Sequence, residues 1–261
     1  MTSILPPIPP PAHIDDVVAS IGTIIDWSIA NQSRLGYFAA LYRRITLAIK
    51  AGIARKYFDD NARMEVFDVT FASRYFAALN AYFHPSPQRE LSHCWKVAFD
   101  GATLTGPIIV QHLLAGVNAH IDLDLGIAAE QVAPGKSLPS LQGDFIKVNT
   151  ILGDQVKTVL DEIDSLSPVL ADLYDLLMKY EIDLIDDGLK VTRDSAWRFA
   201  TILAEVPSIL RQPTISLHDL EAAKLGMLIL HPPSILANVV EVIAARESRD
   251  VVRNIQVLAA M

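Results

Sequence analysis

The most apolar stretch of the sequence is residues 107–129, which read PIIVQHLLAGVNAHIDLDLGIAA. Pro107 suits the first turn of a helix, and the Pro-Gly pair at 134–135 ends the helical pattern after about residue 131. The stretch includes Asp122 and Asp124, and an Asp costs about 2.5–3.5 kcal/mol at the centre of a membrane-spanning helix. We therefore predict a helix in the core of a folded domain, with no membrane span.

Apolar residues recur at helical spacing through the rest of the chain. In residues 61–83, for example, Met64, Phe67, Phe71 and Tyr75 share one stripe. The sequence shows no strand alternation, no hairpin turn and no repeat of 30–45 residues. These patterns predict an all-α, single compact domain of about nine or ten helices over residues 15–261. After residue 83 the helices are predicted over residues 90–99, 107–131, 140–165, 168–179, 192–210, 216–230 and 233–246, with the dipeptide His218-Asp219 as cap chemistry at a helix start.

The two ends of the chain differ in character. Five prolines within residues 6–11 forbid a helix, so residues 1–14 are predicted to form a proline-rich arm that packs along the surface. This end has neither the basic region nor the apolar core of a signal peptide. Residues 250–261 are apolar at helical spacing, and we expect them to dock on the domain or on a second subunit. They therefore suggest a homodimer formed through the C-terminal helix.

The charge and the cysteine content exclude several classes of protein. Lys and Arg total 22 against 30 Asp and Glu, which gives a net charge of −8. A nucleic-acid-binding protein needs a basic face, so we expect no nucleic-acid partner. Because Cys94 is the sole cysteine, the chain has no internal disulfide and no cysteine-rich zinc module. This favours a reducing compartment and predicts a cytoplasmic location.

The central helix carries a row of polar residues in an apolar setting. His112, Gly116, His120 and Asp124 follow one another at intervals of four, so they lie along one side of a helix. The His120 and Asp124 side chains can meet on one ion or one proton. Gly116 removes side-chain bulk between the two histidines and is expected to leave room for a ligand. His120 and Asp124 are therefore the first candidates for catalytic residues.

Ligands for a metal would have to come from other helices as well. His112 is about 12 Å along the axis from His120, so a dinuclear site fits this row better than a single ion. Asp144, on an otherwise apolar stripe, is a further catalytic and ligand candidate. Mixed nitrogen and oxygen ligands suit Fe, Mn or Zn. The predicted metal ligands are His112, His120, Asp124 and Asp144, and other residues of unassigned role are Glu90, His93 and His231.

Three segments together resemble a known but uncharacterised family. QHLLAGVNAHIDLDLGIA at 111–128, GDFIKVNTIL at 143–152 and TRDSAW at 192–197 are similar to a bacterial family of helical proteins described as a domain of unknown function. No reaction is established for this family. The resemblance implies that seven polar residues form one motif set, namely His112, Asn118, His120, Asp122, Asp124, Asp144 and Asn149.

Three functions are consistent with these residues. The first is a metal-dependent enzyme that acts on a small, largely apolar molecule, by chemistry that is either oxidative or hydrolytic, with Gly116 and Asn149 in contact with the substrate. The second is a metal-free cyclase or apolar-ligand-binding protein, in which His120 and Asp124 orient the ligand or move a proton. The third is a structural or interaction protein whose polar row is a buried network, with Asp124 held by an arginine such as Arg74 or Arg193.

Overall fold

In the computed structural model, which describes residues 3–163, 165–170, 172 and 184–260, the apolar stretch forms a helix that crosses the interior. It runs in three consecutive parts, α5 (Ile109–Val117), a π-helical segment (Asn118–Leu125) and α6 (Gly126–Val132). The backbone stays helical at both junctions, with φ −58° and ψ −45° at Val117 and φ −64° and ψ −40° at Gly126. The three parts therefore act as one central helix.

The other helices surround this central helix. The described residues contain eleven α-helices and no strand, and they form one compact domain, which confirms the all-α prediction. Besides α5 and α6, the helices are α1 (Ile14–Ala30), α2 (Leu35–Ala54), α3 (Asn61–Phe83), α4 (His93–Gly101), α7 (Gln142–Ile163), α8 (Leu184–Glu205), α9 (Ser208–Leu230), α10 (Ser234–Ala244) and α11 (Val251–Ala259), with a short 3₁₀ turn at Gly135–Leu141. None of the helices in this part of the chain is both long and apolar enough to cross a membrane.

Opposite faces of the central helix supply two separate hydrophobic clusters. Leu113, Ala119 and Leu123 belong to a cluster with α1, α2, α4 and α11. Ile121 and Leu125 belong to a second cluster with α7, α8 and the first half of α3. A helix that is apolar on nearly all sides has to be buried, and this one is surrounded by α3, α4, α8 and α9. Its polar residues are thereby placed inside the protein.

The two ends of the chain pack on the domain. In the arm, Leu5 and Ile8 are buried, and Asn80 on α3 bonds both the N–H and the carbonyl of Ile8, each over 2.8 Å. At the other end, Ile255 and Leu258 of α11 are fully buried, and α11 contacts α1, α2 and α7. The apolar face of the C-terminal helix is therefore used within the chain.

Some helix boundaries differ from the predicted ones. Helix α9 begins at Ser208 and contains Pro213, so its first turns precede the expected start at residue 216. His218-Asp219 consequently lies in mid-helix, and Asp219 caps a different helix by accepting hydrogen bonds from the N–H groups of His93 (2.7 Å) and Cys94 (2.9 Å). Helix α8 begins at Leu184 rather than 192. The helix predicted at 168–179 lies mostly outside the described residues.

Gly126 permits a close approach between α6 and α8, which leads to a stability prediction. A Cβ at this position would lie 2.7 Å from the backbone oxygen of Ala196, and backbone does not give way as a flexible side chain does. Gly126→Ala is expected to lower the free energy of unfolding by about 1–3 kcal/mol, the usual cost of overpacking. Urea denaturation measures this change.

Gly22 provides the matched control for this variant. It lies within α1, and nothing is within 4 Å of the Cβ that alanine would add. Gly22→Ala should therefore leave stability unchanged or raise it by up to about 1 kcal/mol, because alanine favours a helix more than glycine. Equal stability of Gly126→Ala and wild type would contradict the proposed close contact.

Candidate functional site

The π-helical segment holds the two residues that the sequence marked first. His120 and Asp124 are buried, with 2% and 1% of their surface exposed, and His120 Nδ1 lies 3.6 Å from Asp124 Oδ2. In a π-helix the backbone bonds join residues five apart, and such turns are frequent at functional sites. The expected proximity of the pair is thus present, although the turn that carries it is not the α-helical one assumed from the sequence.

Both oxygens of the Asp124 carboxylate have strong hydrogen-bond donors. Arg74 on α3 donates from Nε to Oδ1 over 2.7 Å, and Trp95 on α4 donates from its indole Nε1 to Oδ2, also over 2.7 Å. Burial acts to raise the pKa of Asp124, but the Arg74 charge and the contacts with His120 and Trp95 outweigh it, so the pKa lies below its ordinary value. Asp124 is therefore an ionised carboxylate inside the protein.

His120 sits in a cage of aromatic rings. Its imidazole stacks on Phe71 with ring centroids 3.6 Å apart and planes 7° from parallel, and the ring of Tyr42 meets it edge-on at 4.6 Å. Burial lowers the pKa of His120, although the Asp124 charge opposes this, so the ring is neutral near neutral pH. Neither ring nitrogen has a hydrogen-bond partner among the described residues.

His120 also lines an internal cavity of about 50 Å³ between the central helix, α2, α3, α7 and α8. Most of the wall is apolar, including Phe67, Val117, Ile121 and Val148. Room for one water requires about 10–15 Å³ by this kind of measure, so the cavity takes several waters or a molecule of a few heavy atoms. His120 lines this cavity, and a smaller cavity of about 20 Å³ lies beside Trp95 and Gly116.

Asp68 supplies the cavity with a second titratable group. It is 3% exposed, and neither carboxylate oxygen has a hydrogen-bond partner among the described residues. Burial raises the pKa of Asp68 to about 7, and the negative charge of Glu65 adds to the shift. Near neutral pH this side chain is therefore divided between a neutral acid, which donates a hydrogen bond, and a carboxylate, which accepts one.

A buried arginine completes the polar part of the cavity. Arg193 on α8 donates from Nε to Asn149 Oδ1 and from Nη2 to the carbonyl of Phe145 over 2.8 Å, and its guanidinium lies 4.5 Å from the centroid of the Phe145 ring. Burial lowers the pKa of Arg193 to about 9, although the charge of the neighbouring Asp194 opposes this shift. Asn149, predicted to contact a substrate, instead orients the arginine that does line the cavity.

An open cleft lies on the other side of Asp124. It has a volume of about 420 Å³, and its lining includes Arg74, Trp95, Asp124 and the exposed Glu90. The Arg74–Asp124 ion pair thus separates this open cleft from the aromatic cage around His120. The guanidinium is the more accessible partner, since 27% of the Arg74 side chain is exposed against 2% for Asp124.

His112 and Gly116 were predicted to form one polar row with His120 and Asp124, but they contact different side chains. His112 is buried beside Tyr37, with ring centroids 5.9 Å apart, and burial lowers the pKa of its imidazole to about 4. The space beside Gly116 is filled by Phe38, whose ring carbon would lie 2.5 Å from an added Cβ. Gly116 therefore makes room for an aromatic side chain of the cage around His120.

Asp144 is occupied in holding the connection between α2 and α3. It is buried and accepts hydrogen bonds from the backbone N–H groups of Asp59 (2.7 Å) and Asp60 (3.0 Å), with Lys147 Nζ 3.5 Å away. The structure thus separates Asp144 from the polar contacts of His120 and Asp124. The remaining candidates also lie apart, because His93 Nδ1 is 2.9 Å from Asp219 and His231 is exposed at the end of α9.

The candidate metal ligands do not converge in the structure. Within the described ranges, no three His, Cys, Asp or Glu side chains come together at a distance that would hold an ion. The four predicted ligands are divided among separate surroundings, and Asp124 already has Arg74 and Trp95 on its two oxygens. The residues present therefore do not fit the predicted dinuclear centre.

Asp68 and Trp95 belong to this buried polar site but are not among the residues that the sequence predicted for it. Asp68 comes four residues after Met64 and three before Phe71, so a carboxylate interrupts an apolar helical stripe. That interruption is a signal that the sequence does contain. Trp95 is buried, and nothing local in the sequence indicates that its indole N–H bonds Asp124.

The fold and the buried polar site are those of a small all-α protein. Comparison with known families shows which family the chain belongs to. The chain matches the model of a family of unknown function, DUF5995, over residues 14–232, and it belongs to that family. The match includes α1 to α9 and hence every residue of the cavity. No curated protein and no solved structure matches the chain.

The raised pKa of Asp68 predicts a pH-dependent stability. Between its ordinary pKa of 3.8 and about 7, the folded protein keeps a proton that the unfolded chain has lost, so stability falls as the pH rises through this window. Asp68→Asn removes that dependence. The variant should therefore gain about 2–3 kcal/mol relative to wild type between about pH 5 and about pH 8, measured by urea unfolding at each pH.

The exposed Asp26 gives a control with the same chemical change. Asp26→Asn should differ from wild type by a nearly constant amount over the same pH range, because a solvent-exposed carboxylate keeps similar surroundings on unfolding. A constant offset for Asp68→Asn as well would contradict the protonation assigned to the cavity.

The Arg74–Asp124 pair predicts a second stability effect. Arg74→Met leaves an ionised carboxylate buried without its cation, which should lower the free energy of unfolding by about 3 kcal/mol or more. Arg89, which is exposed and donates to the carbonyl of His84, is the matched control, and Arg89→Met should change stability by less than about 1 kcal/mol. Similar losses in both variants by chemical denaturation would contradict the role given to Arg74.

Proposed function

We propose that the protein binds a small, largely apolar molecule in the cavity beside His120, and that Asp68 and His120 orient it and exchange a proton with it. One observation carries this proposal: three polar atoms, the two carboxylate oxygens of Asp68 and Nε2 of His120, are buried without hydrogen-bond partners among the described residues, while His120 Nδ1 faces Asp124. Leaving a buried polar group unpaired costs about 1–3 kcal/mol. A ligand that pairs with these atoms gives a reason for that cost.

The polar groups favour a ligand that accepts hydrogen bonds. Protonated Asp68 is a donor, and the Arg193 guanidinium has donors only. An apolar body that ends in a carbonyl or carboxylate oxygen suits both groups. An engineered cavity of about 150 Å³ accommodates benzene, so the present volume of about 50 Å³ suits a ligand with fewer heavy atoms.

The His120–Asp124 pair supports a proton-transfer role. Asp124 faces Nδ1, and a carboxylate in that position favours the tautomer with the proton on Nδ1. Nε2 is then the basic nitrogen, able to take a proton from a bound molecule. The resulting imidazolium would be stabilised by Asp124, which Arg74 and Trp95 hold in its ionised form. This function matches the metal-free alternative that the sequence left open.

A structural role is the second candidate, and one observation favours it. Asp124 is fully paired, so the polar row serves to join the central helix to α3 and α4 even without a ligand. A metal-dependent enzyme with Fe, Mn or Zn stays a prediction of the sequence, which metal analysis of protein purified without chelator tests. The cytoplasmic location is likewise a prediction, consistent with a single buried cysteine whose pKa burial raises.

Titration with 2-butanone tests the proposed function, because this probe combines a carbonyl with a short apolar chain. We expect saturable shifts of the methyl NMR signals of Ile121, Leu125 and Val148, which line the cavity. Affinity should fall by at least about tenfold between about pH 6 and about pH 9 as Asp68 loses its donor proton.

Variants separate this outcome from non-specific binding. Asp68→Asn keeps an N–H donor and should bind 2-butanone with no such pH dependence, while Asp26→Asn should behave as wild type. The proposal fails if the cavity methyl signals do not shift, or if the pH dependence persists in Asp68→Asn. In either case the structural role of the polar row becomes the better account.

A further inference from the structure

The outer face of α9 is unusually apolar for a surface. Leu217 and Leu228 are 62% and 59% exposed, and Leu220 and Leu225 between them are also exposed. At 100° per residue these four side chains point to one side of the helix. Soluble monomers rarely expose apolar patches of this kind, and such patches mark interaction sites.

The opposite face of α9 holds the helix firmly on the domain. Asp219, Ala222 and Gly226 are buried, Asp219 caps α4, and the carbonyl of Ala222 accepts a hydrogen bond from Asn118 over 2.8 Å. The exposed leucines are thus displayed on a helix that contacts within its own chain hold in place.

The residue types on this exposed face repeat in reverse order on either side of a central point. About a centre between Ala222 and Ala223, Leu217 corresponds to Leu228 and Leu220 to Leu225. The two exposed charges between these leucines follow the same rule, because Glu221 corresponds to Lys224. A helix with this order is complementary to a second copy of itself that runs in the opposite direction.

We propose that the protein forms a two-fold symmetric dimer through antiparallel pairing of α9 with α9 of a second copy. In this arrangement each leucine lies level with a leucine of the other copy along the interface, and Glu221 of one copy lies level with Lys224 of the other, twice. A two-fold interface uses the same patch on both subunits, which is what the reversed order supplies. Because the opposite charges match between two copies, the occupant of this face is a second copy of the chain. The net charge of −8 disfavours an anionic membrane as the occupant.

This pairing differs from the homodimer through the C-terminal helix that the sequence suggested. Ile255 and Leu258 of α11 are buried on their own chain, whereas the four leucines on the outer face of α9 are exposed. The proposal also stands apart from the cavity and its ligand, since none of the residues that line the cavity is on the exposed face of α9.

Analytical ultracentrifugation of the full chain tests the dimer. Wild type should sediment with twice the chain mass of 28.6 kDa at micromolar concentration. Lys224→Glu and Glu221→Lys each place two pairs of like charges across the interface, and each should weaken dimerisation by at least about tenfold. The double variant carrying both changes restores opposite charges and should recover most of the wild-type affinity.

Lys136→Glu is the matched control, because it makes the same charge change at an exposed position in the 3₁₀ turn. It should leave the dimer intact, and thermal unfolding should show that all four variants are folded. A monomeric wild type overturns the proposal. So does a dimer that Lys224→Glu does not weaken, or a double variant that dimerises no better than the single ones.

Discussion

The buried carboxylate of Asp124 is the constraint around which this molecule is organised. An ionised group in the interior is tolerated only when partners compensate its charge, and here the partners come from two other helices. Arg74 on α3 and the indole of Trp95 on α4 meet on the two oxygens of one side chain of the central helix. Three helices are thus held in a single relative arrangement, and the aromatic cage of His120 is closed by the same contacts.

The π-helical segment determines which groups the central helix presents to its neighbours. On one side, His120 and Asp124 face α3 and α4. On another, Asn118 bonds the carbonyl of Ala222, and His218 of α9 lies 2.8 Å from the carbonyl of Asp122. The family resemblance groups these polar residues of the π-helical segment together, but they make two different sets of contacts. His120 and Asp124 lie beside the cavity, whereas Asn118 and Asp122 bond α9.

The cavity combines features that do not improve stability. A carboxyl group with a pKa near 7 and a neutral imidazole lie among apolar and aromatic walls without partners among the described residues. Replacing such groups by apolar ones of similar shape often stabilises a protein. Unpaired groups of this kind are typical of sites whose polar atoms are reserved for something that arrives from outside. Asp124 beside them differs, because each of its two carboxylate oxygens accepts a hydrogen bond.

The sequence by itself determined the helical class, the central buried helix, the packing of the proline-rich arm on the domain and the inward position of His120 and Asp124. It also offered Arg74 as a partner of that carboxylate. These follow from periodicity and composition, which are properties of neighbouring residues. The tertiary structure alone decided that Asp144 caps the connection before α3, that Phe38 fills the space beside Gly116, and that Asp68 rather than His112 joins His120 at the cavity. Each of these depends on which helices meet and at what rotation, and side chains far apart in the chain set that geometry together.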